Sequence, residues 1–389
     1  MSDIDPQLKL FRRQYLQLFQ PEFLAWPHPQ LLRRGDVQDW IFKNLFEEAD
    51  EKQKNSDNDK ARRRHLPPER YQLRVLRSLV ARIEKAIQDP EEDEISDSLM
   101  TRLGTLMTNG VPSEFDTNKE PAHVTFTCLT PPSPPNTNHN HNHDDDEKEE
   151  ERTITLLEKR NQISGSRTTG HRTWEAALHL GTYLLLLSSS QNAQNSNLSS
   201  QNPNPNPNHL VRGKSILELG AGTGFLSILS AKHLHAKRVL ATDGDENVVE
   251  GLRANFHLNG LDDEEKVKAE RLWWGEEEEM KMEMEEEKKE KDWDLVIGAD
   301  ITYDKVAIVA LVKTLGNLFR MSKEKGKDLQ VLISGVVRNL DTFKSFEDEC
   351  GRANFTVEEI DFPVKSMREQ TALFYAAAVP IKILSITSP

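Results

Sequence analysis

Hydrophobic residues in the first third of the chain recur with the spacing of amphipathic helices. The spacing occurs in three stretches, from Leu8 to Phe19, from Tyr71 to Ile83 and from Ile95 to Met107. Apolar residues that return every three or four positions form one buried helical face. We therefore predict a small helical N-terminal domain over residues 1–115, with the charged segment Glu51–Arg64 as a loop.

Past residue 153 the pattern changes, because short apolar runs alternate with amphipathic segments. The short runs predict buried strands, and strands that alternate with helices are typical of a mostly parallel, doubly wound sheet. We therefore predict an α/β, Rossmann-like domain over residues 153–389. The predicted strands are Ser215–Leu219, Arg238–Thr242, Val267–Leu272, Leu295–Ala299, Gln330–Gly335, Phe355–Ile360 and Thr371–Ala378, and the predicted helices are Gly224–Leu234, Glu246–Leu258 and Lys305–Met321.

Three segments lack the apolar residues that a folded core requires. They are Pro131–Glu151, within a linker at 116–152, and two inserts in the α/β domain, at 188–208 and 276–291. Such composition is typical of low-complexity inserts. The net charge of −14 is concentrated there, since Asp144–Glu151 holds seven acids and one lysine, and 276–291 holds nine acids and four lysines. No long basic stripe offsets these acids, so direct nucleic-acid binding is not expected.

The residue types that bind metals or form disulfides are sparse. Two cysteines, Cys128 and Cys350, are too few for a disulfide framework or a cysteine-based zinc site. His139, His141 and His143 alternate with asparagine in the first insert, which we interpret as compositional bias, and no metal site is expected. The N-terminus lacks an apolar signal segment, and the longest apolar stretch is too short to cross a bilayer. We expect a soluble, cytoplasmic monomer without membrane contact.

A glycine turn follows the first predicted strand of the α/β domain. Residues Glu218 to Gly224 read E-L-G-A-G-T-G and lead into a predicted helix. Gly220 and Gly222, with Ala221 between them, let the backbone turn tightly and leave space for a ligand. Free N–H groups at the helix N-terminus point to the same space. The turn is therefore a candidate cofactor-binding segment.

The spacing and the nearby acids indicate which cofactor fits this turn. The dinucleotide fingerprint is G-x-G-x-x-G, whereas the third glycine here comes one residue earlier. Glu218 suits a ligand with a cationic amino group better than a pyrophosphate. Asp243 ends the second strand, where a carboxylate can accept hydrogen bonds from ribose hydroxyls. An amino acid joined to a ribose without phosphate describes S-adenosylmethionine, and a turn without any ligand is the alternative.

Asp300 and Tyr303 follow the strand Leu295–Ala299. Ligands of open α/β sheets bind beyond the carboxyl ends of the strands, so Asp300 is expected beside the reactive methyl group of the cofactor. A carboxylate and an aromatic hydroxyl can together hold an incoming amine. A helix N-cap is the alternative role for Asp300.

Two tryptophans flank the same region. Trp174 precedes the first strand, and Trp274 follows the third. Either indole can pack on an adenine, whereas a position in the hydrophobic core is the more common fate of tryptophan. Both interpretations stay open from the residues alone.

Taken together, the motifs resemble those of the protein-lysine methyltransferases of the seven-β-strand class. They are Gly170–Ala177, Glu218–Gly224, Leu272–Gly275 and the D-x-x-Y motif Asp300–Tyr303. The resemblance is strongest to the elongation factor 2 lysine methyltransferase family, which also has a helical N-terminal domain, similar here from Pro67 onward. An acid is common in that family where this chain has Trp273.

The resemblance implies a seven-stranded class I methyltransferase sheet, S-adenosyl-L-methionine as cofactor and lysine N-methylation of a protein, elongation factor 2. It implies that Asp300 and Tyr303 frame the lysine channel. The cofactor contacts that it implies are Trp174, Gly220, Ala221, Gly222, Asp243, Trp274 and Ala299.

Other functions stay open at this level. One is lysine methylation of another protein, such as a chaperone, and a second is N-methylation of a small molecule. A third is a non-catalytic module that keeps the cofactor fold. For a protein substrate, we expect the N-terminal domain to contribute to recognition, since one lysine side chain offers too little surface for specificity.

Overall fold

A computed structural model describes residues 4–47, 65–89, 91, 93–108, 121–129, 151–159, 169–189, 210–275 and 292–389. The predicted loop Glu51–Arg64, the insert at 276–291, most of the other two inserts and the three histidines of the first insert lie outside these residues. The chain divides into two compact units. The first is Met1–Thr127 with Thr155–Gly165, and the second is Cys128–Ile154 with Ser166–Pro389.

Helices form most of the described part of the first unit, and the three predicted helices are confirmed as α1, α4 and α5. The helices are α1 (Pro6–Leu16), α2 (Pro29–Leu32), α3 (Gly35–Ile41), α4 (Glu69–Ala86) and α5 (Asp97–Thr108), with a π-helical turn at Phe42–Phe46. Helix α1 begins where the Asp5 carboxylate accepts a hydrogen bond from the Gln7 N–H, and Pro6 takes the first helical position. The buried faces meet in one apolar core that includes Phe11 and Leu79.

A short two-stranded sheet follows these helices in the chain. It pairs β1 (Ala122–Thr127) with β2 (Thr153–Glu158), and the hydroxyls of Thr125 and Thr155 lie 3.0 Å apart across it. No strand was predicted at these positions, so the two-stranded sheet is known from the structure alone.

The second unit is built on a seven-stranded sheet. The strands are β3 (Ser215–Leu219), β4 (Arg238–Asp243), β5 (Val267–Arg271), β6 (Leu295–Ala299), β7 (Gln330–Val336), β8 (Thr356–Ile360) and β9 (Ile381–Thr387). The helices are α6 (Glu175–Ser189), α7 (Phe225–Ile228), which continues as a π-helical turn at Leu229–His233, α8 (Glu246–Leu258), α9 (Lys305–Glu324) and α10 (Leu340–Arg352). Every helix predicted for this domain is present.

The strand order is β5-β4-β3-β6-β7-β9-β8. The first five strands in this order are parallel, whereas β9 runs antiparallel to both β7 and β8. The chain winds outward from β3 to β5 and then returns to β6, so the direction of winding reverses between β3 and β6. Ligands of such sheets bind at this switch point, beyond the carboxyl ends of the strands. The α/β, Rossmann-like prediction is confirmed, and the glycine turn that follows β3 stands at the switch point.

The predicted strand at Thr371–Ala378 is wrong. There the Gln370 side chain accepts a hydrogen bond from the Tyr375 N–H at 2.9 Å and donates one to the Tyr375 carbonyl at 3.0 Å. Both backbone groups of Tyr375 are therefore occupied, and Leu373 has a φ of +47°. A strand residue needs an extended φ and backbone N–H and C=O groups that are available to bond to a neighbouring strand. The last strand lies further along, at Ile381–Thr387. Within the described ranges no helix is both long and apolar enough to cross a membrane.

A buried histidine on α6 makes stability depend on pH. The Nε2 atom of His179 lies 3.1 Å from the Phe362 carbonyl, and Nδ1 lies 2.9 Å from the Tyr375 hydroxyl. A carbonyl only accepts, so Nε2 carries the proton and Nδ1 accepts from the hydroxyl. Burial lowers the pKa of His179 to about 4.

We expect His179 to reduce stability as the pH falls. The unfolded chain binds a proton at this side chain below about 6.5, and the folded chain does so only near 4, so stability is lost across that window as pH falls. In urea unfolding between pH 6.5 and 4.5, His179→Gln should reduce the slope of the unfolding free energy against pH by up to about 1.4 kcal/mol per pH unit. Equal slopes in the two proteins would mean that folding does not lower the pKa of His179.

Candidate active site

Two glycines shape the turn after β3. Gly220 has a φ of +64° and Gly222 a φ of +55°, a region that residues with a Cβ rarely adopt. The N–H of Ala221 donates to the Thr242 carbonyl at 2.8 Å, and the N–H of Gly222 donates to Oδ2 of Asp243 at 3.1 Å. The predicted turn and the predicted acid at the end of β4 are therefore joined directly. Burial raises the pKa of the Asp243 carboxyl, and the backbone donors oppose that shift.

Trp274 packs against the floor of this turn. A Cβ placed on Gly220 would lie 2.6 Å from Cγ2 of Ile301 and 3.4 Å from Cζ2 of Trp274. The indole also packs against the hydrophobic core to which β3 and α9 contribute side chains. Trp274 therefore belongs to the edge of the core and also lies against the turn. Its neighbour Trp273 is half-exposed, with Arg271 over its ring at 5.4 Å.

The segment around Trp174 lies over the other side of the turn. A Cβ on Gly222 would meet the Gly170 carbonyl oxygen at 3.2 Å, so the two backbones are in close contact. The hydroxyls of Thr173 and Thr223 lie 2.7 Å apart in a buried position. The G-x-x-x-W segment and the glycine turn, which are far apart in sequence, therefore form one structure.

Glu218, in β3 next to the turn, is enclosed by the protein. Its carboxylate accepts a short hydrogen bond from the Ser227 hydroxyl on α7, and the residue is buried. Burial raises the pKa of Glu218 to about 8, so the protonated form dominates near neutral pH. The predicted contact with a cationic amino group stays a prediction.

Asp300 is held in a strained conformation directly after β6. Its φ is +58°, in the left-handed region that side chains rarely adopt, and its N–H donates to the Ser334 carbonyl at 2.7 Å. The carboxylate is only 8% exposed and accepts hydrogen bonds from the Val336 N–H at 3.3 Å and from Nη1 of Arg338 at 2.8 Å. Burial raises the pKa of the Asp300 carboxyl, and Arg338 opposes that shift.

The alternative role of Asp300 as a helix cap is wrong. Asp304 caps α9 instead, because its carboxylate accepts hydrogen bonds from the N–H groups of Val306 and Ala307 at 2.8 and 2.9 Å. Asp300 stands four residues before Asp304, and its hydrogen bonds include those to Ser334 and Val336 of β7. Its strained backbone and its buried carboxylate are thus not explained by helix capping.

Tyr303 stands at the rim of the same edge. The residue is 60% exposed, and its hydroxyl lies 3.5 Å from the hydroxyl of Thr169. Thr169 in turn accepts a hydrogen bond from Nε1 of Trp174 through its carbonyl, at 3.0 Å. Tyr303 is therefore linked to the segment around Trp174. Ala299 is the last residue of β6, the strand that lies between β3 and β7 in the sheet.

Two polar residues of the site were missed in the sequence. Arg338, two residues past β7, bonds to Asp300, and Asn255 on α8 donates to the Thr223 carbonyl of the glycine turn at 2.9 Å. Arg338 follows the carboxyl end of a parallel strand, and ligands of open α/β sheets bind at that edge. This position was therefore a signal in the sequence. The Asn255 contact has no such signal, because it lies within a helix.

Known proteins resemble this chain over between about half and nearly all of its length. The lysine methyltransferase family matches residues 149–341. Protein-lysine N-methyltransferase EFM3 of Chaetomium thermophilum is 38% identical over 387 residues, covering 98% of this chain and 98% of that protein. Protein-lysine N-methyltransferase EEF2KMT of Homo sapiens is 28% identical over 244 residues, covering 60% of this chain and 64% of that protein. A solved SAM-dependent methyltransferase from Aquifex aeolicus has a TM-score of 0.33 and 12% identity, covering 46% of this chain and 84% of that one.

The sheet order and the glycine turn at its switch point define a class I, S-adenosylmethionine-dependent methyltransferase. The chain belongs to the lysine methyltransferase family, because it is similar to a protein-lysine N-methyltransferase across nearly its whole length. It is therefore an enzyme that uses S-adenosylmethionine to methylate a lysine, and its substrate is a protein.

Proposed function

We propose that this enzyme methylates a lysine of translation elongation factor 2, with Asp300 and Tyr303 at the amine. The observation that carries the chemical part is the buried, strained carboxylate of Asp300 at the carboxyl end of β6, close to the glycine turn. The choice of substrate is supported by the motifs shared with elongation factor 2 methyltransferases and by the similarity to EEF2KMT. We also propose that it acts as a cytoplasmic monomer without direct nucleic-acid binding.

The residues around the turn fit S-adenosylmethionine. The Trp274 indole lies beside Gly220, 3.4 Å from the place that a Cβ on that residue would take, so an adenine that approaches the turn finds an aromatic surface there. The Asp243 carboxylate ends β4, where it can accept from ribose hydroxyls with the lone pairs that Gly222 and Asp245 leave free. We assign cofactor contact to these residues and to Ala221, Trp174 and Ala299. The contact of Glu218 with the amino group of the cofactor is part of the same proposal.

The reaction requires a neutral amine. S-adenosylmethionine supplies a methyl group on a positively charged sulfur, and transfer forms a nitrogen–carbon bond as the carbon–sulfur bond breaks. A lysine amine has a pKa of about 10.4, so reaching the neutral form at pH 7 costs roughly 4–5 kcal/mol. Asp300 accepts a hydrogen bond from the amine and thereby orients its lone pair, and Tyr303 closes the rim of the channel.

The substrate is tested with purified proteins. The enzyme is incubated with methyl-labelled S-adenosylmethionine and either elongation factor 2 or a chaperone, and the label is located by mass spectrometry. We expect one labelled lysine in elongation factor 2 and none in the chaperone. Label on the chaperone, or only on small molecules, would contradict the proposed substrate.

Gly220→Ala tests the assignment of the turn. The new Cβ would lie 2.6 Å from Cγ2 of Ile301, so the turn must shift, and we expect the affinity for S-adenosylmethionine to fall at least about tenfold. Gly326→Ala is the matched control, because Gly326 has a similar φ of +67° but open space around it. Isothermal titration measures both affinities. Equal affinities in the two variants would show that the shape of the turn does not matter for binding.

A further inference from the structure

Arg338 is the centre of a small polar network at the proposed lysine channel. Its guanidinium donates from Nη1 to Oδ2 of Asp300 at 2.8 Å, and Nη2 lies 3.7 Å from a Glu175 carboxylate oxygen. Its Cζ also lies 5.3 Å from the centre of a Trp174 ring. One side chain thus touches the proposed catalytic carboxylate, the start of α6 and a proposed cofactor contact.

The charges in this network balance. Among the described residues, the charged groups that face Asp300 are Arg338, from the loop after β7, and Glu175, from α6. Arg172 lies behind Glu175, with Nη2 at 3.5 Å from its carboxylate, and over Trp174 at 5.1 Å. Two carboxylates therefore stand beside two guanidinium groups, which stay protonated at any working pH.

An unbalanced carboxylate would oppose the reaction. A negative charge within about 4–6 Å of an amine favours the ammonium form, which has no lone pair to attack a methyl group. A carboxylate paired with a guanidinium exerts a much weaker field on its surroundings. It still has lone pairs that can accept a hydrogen bond and orient the amine. Asp300 and Arg338 together can thus align a lysine without holding a proton on it.

We propose that Arg338 is a positioning residue that keeps the substrate lysine uncharged, by balancing the carboxylates of Asp300 and Glu175. The proposal rests on the proposed function, because it takes Asp300 as the acceptor of the amine. The proton leaves the lysine ammonium for bulk water before transfer, and Asp300 stays ionised. Arg338 touches neither the amine nor the methyl group in this account and acts through Asp300.

The test is the pH dependence of a single turnover, with S-adenosylmethionine and protein substrate both saturating. The rate of methyl transfer should rise with pH as the bound lysine loses its proton. In Arg338→Gln we expect this rising limb to move up by about one pH unit, so that the rate falls about tenfold at neutral pH and recovers at high pH. Arg338→Lys keeps the charge, so its rising limb should lie close to that of the wild type.

A second variant gives a shift of the opposite sign. Glu175→Gln removes a negative charge from the same network, so its rising limb should move to lower pH. Arg253→Gln is the control for loss of a guanidinium elsewhere, since Arg253 on α8 pairs with Glu246 at 3.6 Å. The rising limb of the Arg253→Gln profile should coincide with that of the wild type. If Arg338→Gln fails to fold, the Glu175→Gln and Arg338→Lys profiles still decide.

Two outcomes overturn the proposal. One is an Arg338→Gln rate that is reduced by the same factor at every pH, which would give Arg338 a structural role only. The other is a Glu175→Gln limb that stays in place or moves up. The rates are measured on whichever purified protein accepts label from the wild-type enzyme. Failure of elongation factor 2 as a substrate therefore overturns the proposed function and leaves this test intact.

Discussion

Asp300→Asn is expected to lower the rate of methyl transfer to protein by about 10²- to 10³-fold, with little change in folding or in cofactor affinity. Asparagine has almost the same shape as aspartate and is among the residues that tolerate a positive φ, so the conformation at φ +58° is retained. What is lost is the negative charge of the carboxylate, which accepts a hydrogen bond from the lysine amine and pairs with Arg338 at 2.8 Å. The measurement is transfer of label under single-turnover conditions, with circular dichroism as the check on folding.

A neighbouring carboxylate gives the matched control for this variant. Asp304 lies on the same loop, is exposed and caps α9. Asp304→Ser removes the charge but keeps a capping oxygen, so its rate should stay within about twofold of the wild type. An Asp300→Asn rate close to that of Asp304→Ser would show that the buried carboxylate has no part in catalysis.

Asp243→Ala is expected to weaken S-adenosylmethionine binding at least about 100-fold. The carboxylate accepts from the Gly222 N–H at 3.1 Å and the Asp245 N–H at 3.3 Å, so its loss frees the turn as well as the proposed ribose contact. Hydrogen bonds to a charged group contribute about 1.5–3 kcal/mol each, and 1.4 kcal/mol is tenfold in affinity. Isothermal titration with the cofactor measures the effect, and protein methylation at low cofactor should fall in parallel.

Asp245→Ser separates this effect from a general change in charge. Asp245 stands two residues further on and caps α8 by accepting from the Asn247 N–H at 2.8 Å, a bond that serine can replace. Its cofactor affinity should stay near that of the wild type. If Asp243→Ala binds S-adenosylmethionine as tightly as Asp245→Ser does, the cofactor does not use the end of β4.

The parts of the fold that local pattern dictates were predictable. The strands β3, β4, β6 and β7 are short, mostly apolar runs, whereas β5 alternates apolar and charged residues. The alternation of these strands with helices defines a parallel sheet. The glycine turn was predictable for the same reason, since glycines at 220 and 222 serve positive φ values that other residues avoid. In such sheets the end of β6 is also the known place for a ligand.

Features set by particular side-chain contacts were not predictable from the hydrophobic pattern. Thr371–Ala378 has the composition of a strand, but the Gln370 side chain takes the backbone groups of Tyr375, which no periodicity reveals. Helix α10 (Leu340–Arg352) was missed, although Phe343, Phe346 and Cys350 recur at helical spacing and form its buried face. The pairing of Asp300 with Arg338 spans 38 residues and follows only from the way β6 and β7 lie side by side.

The most direct test of the central claim is methyl transfer to a cell extract that lacks this protein. The wild-type enzyme and Asp300→Asn are each added with labelled S-adenosylmethionine, and labelled proteins are identified by mass spectrometry. We predict one labelled protein, elongation factor 2, modified on a lysine by the wild-type enzyme and not by Asp300→Asn. Equal labelling by the two enzymes, or label on a residue other than lysine, would contradict the account.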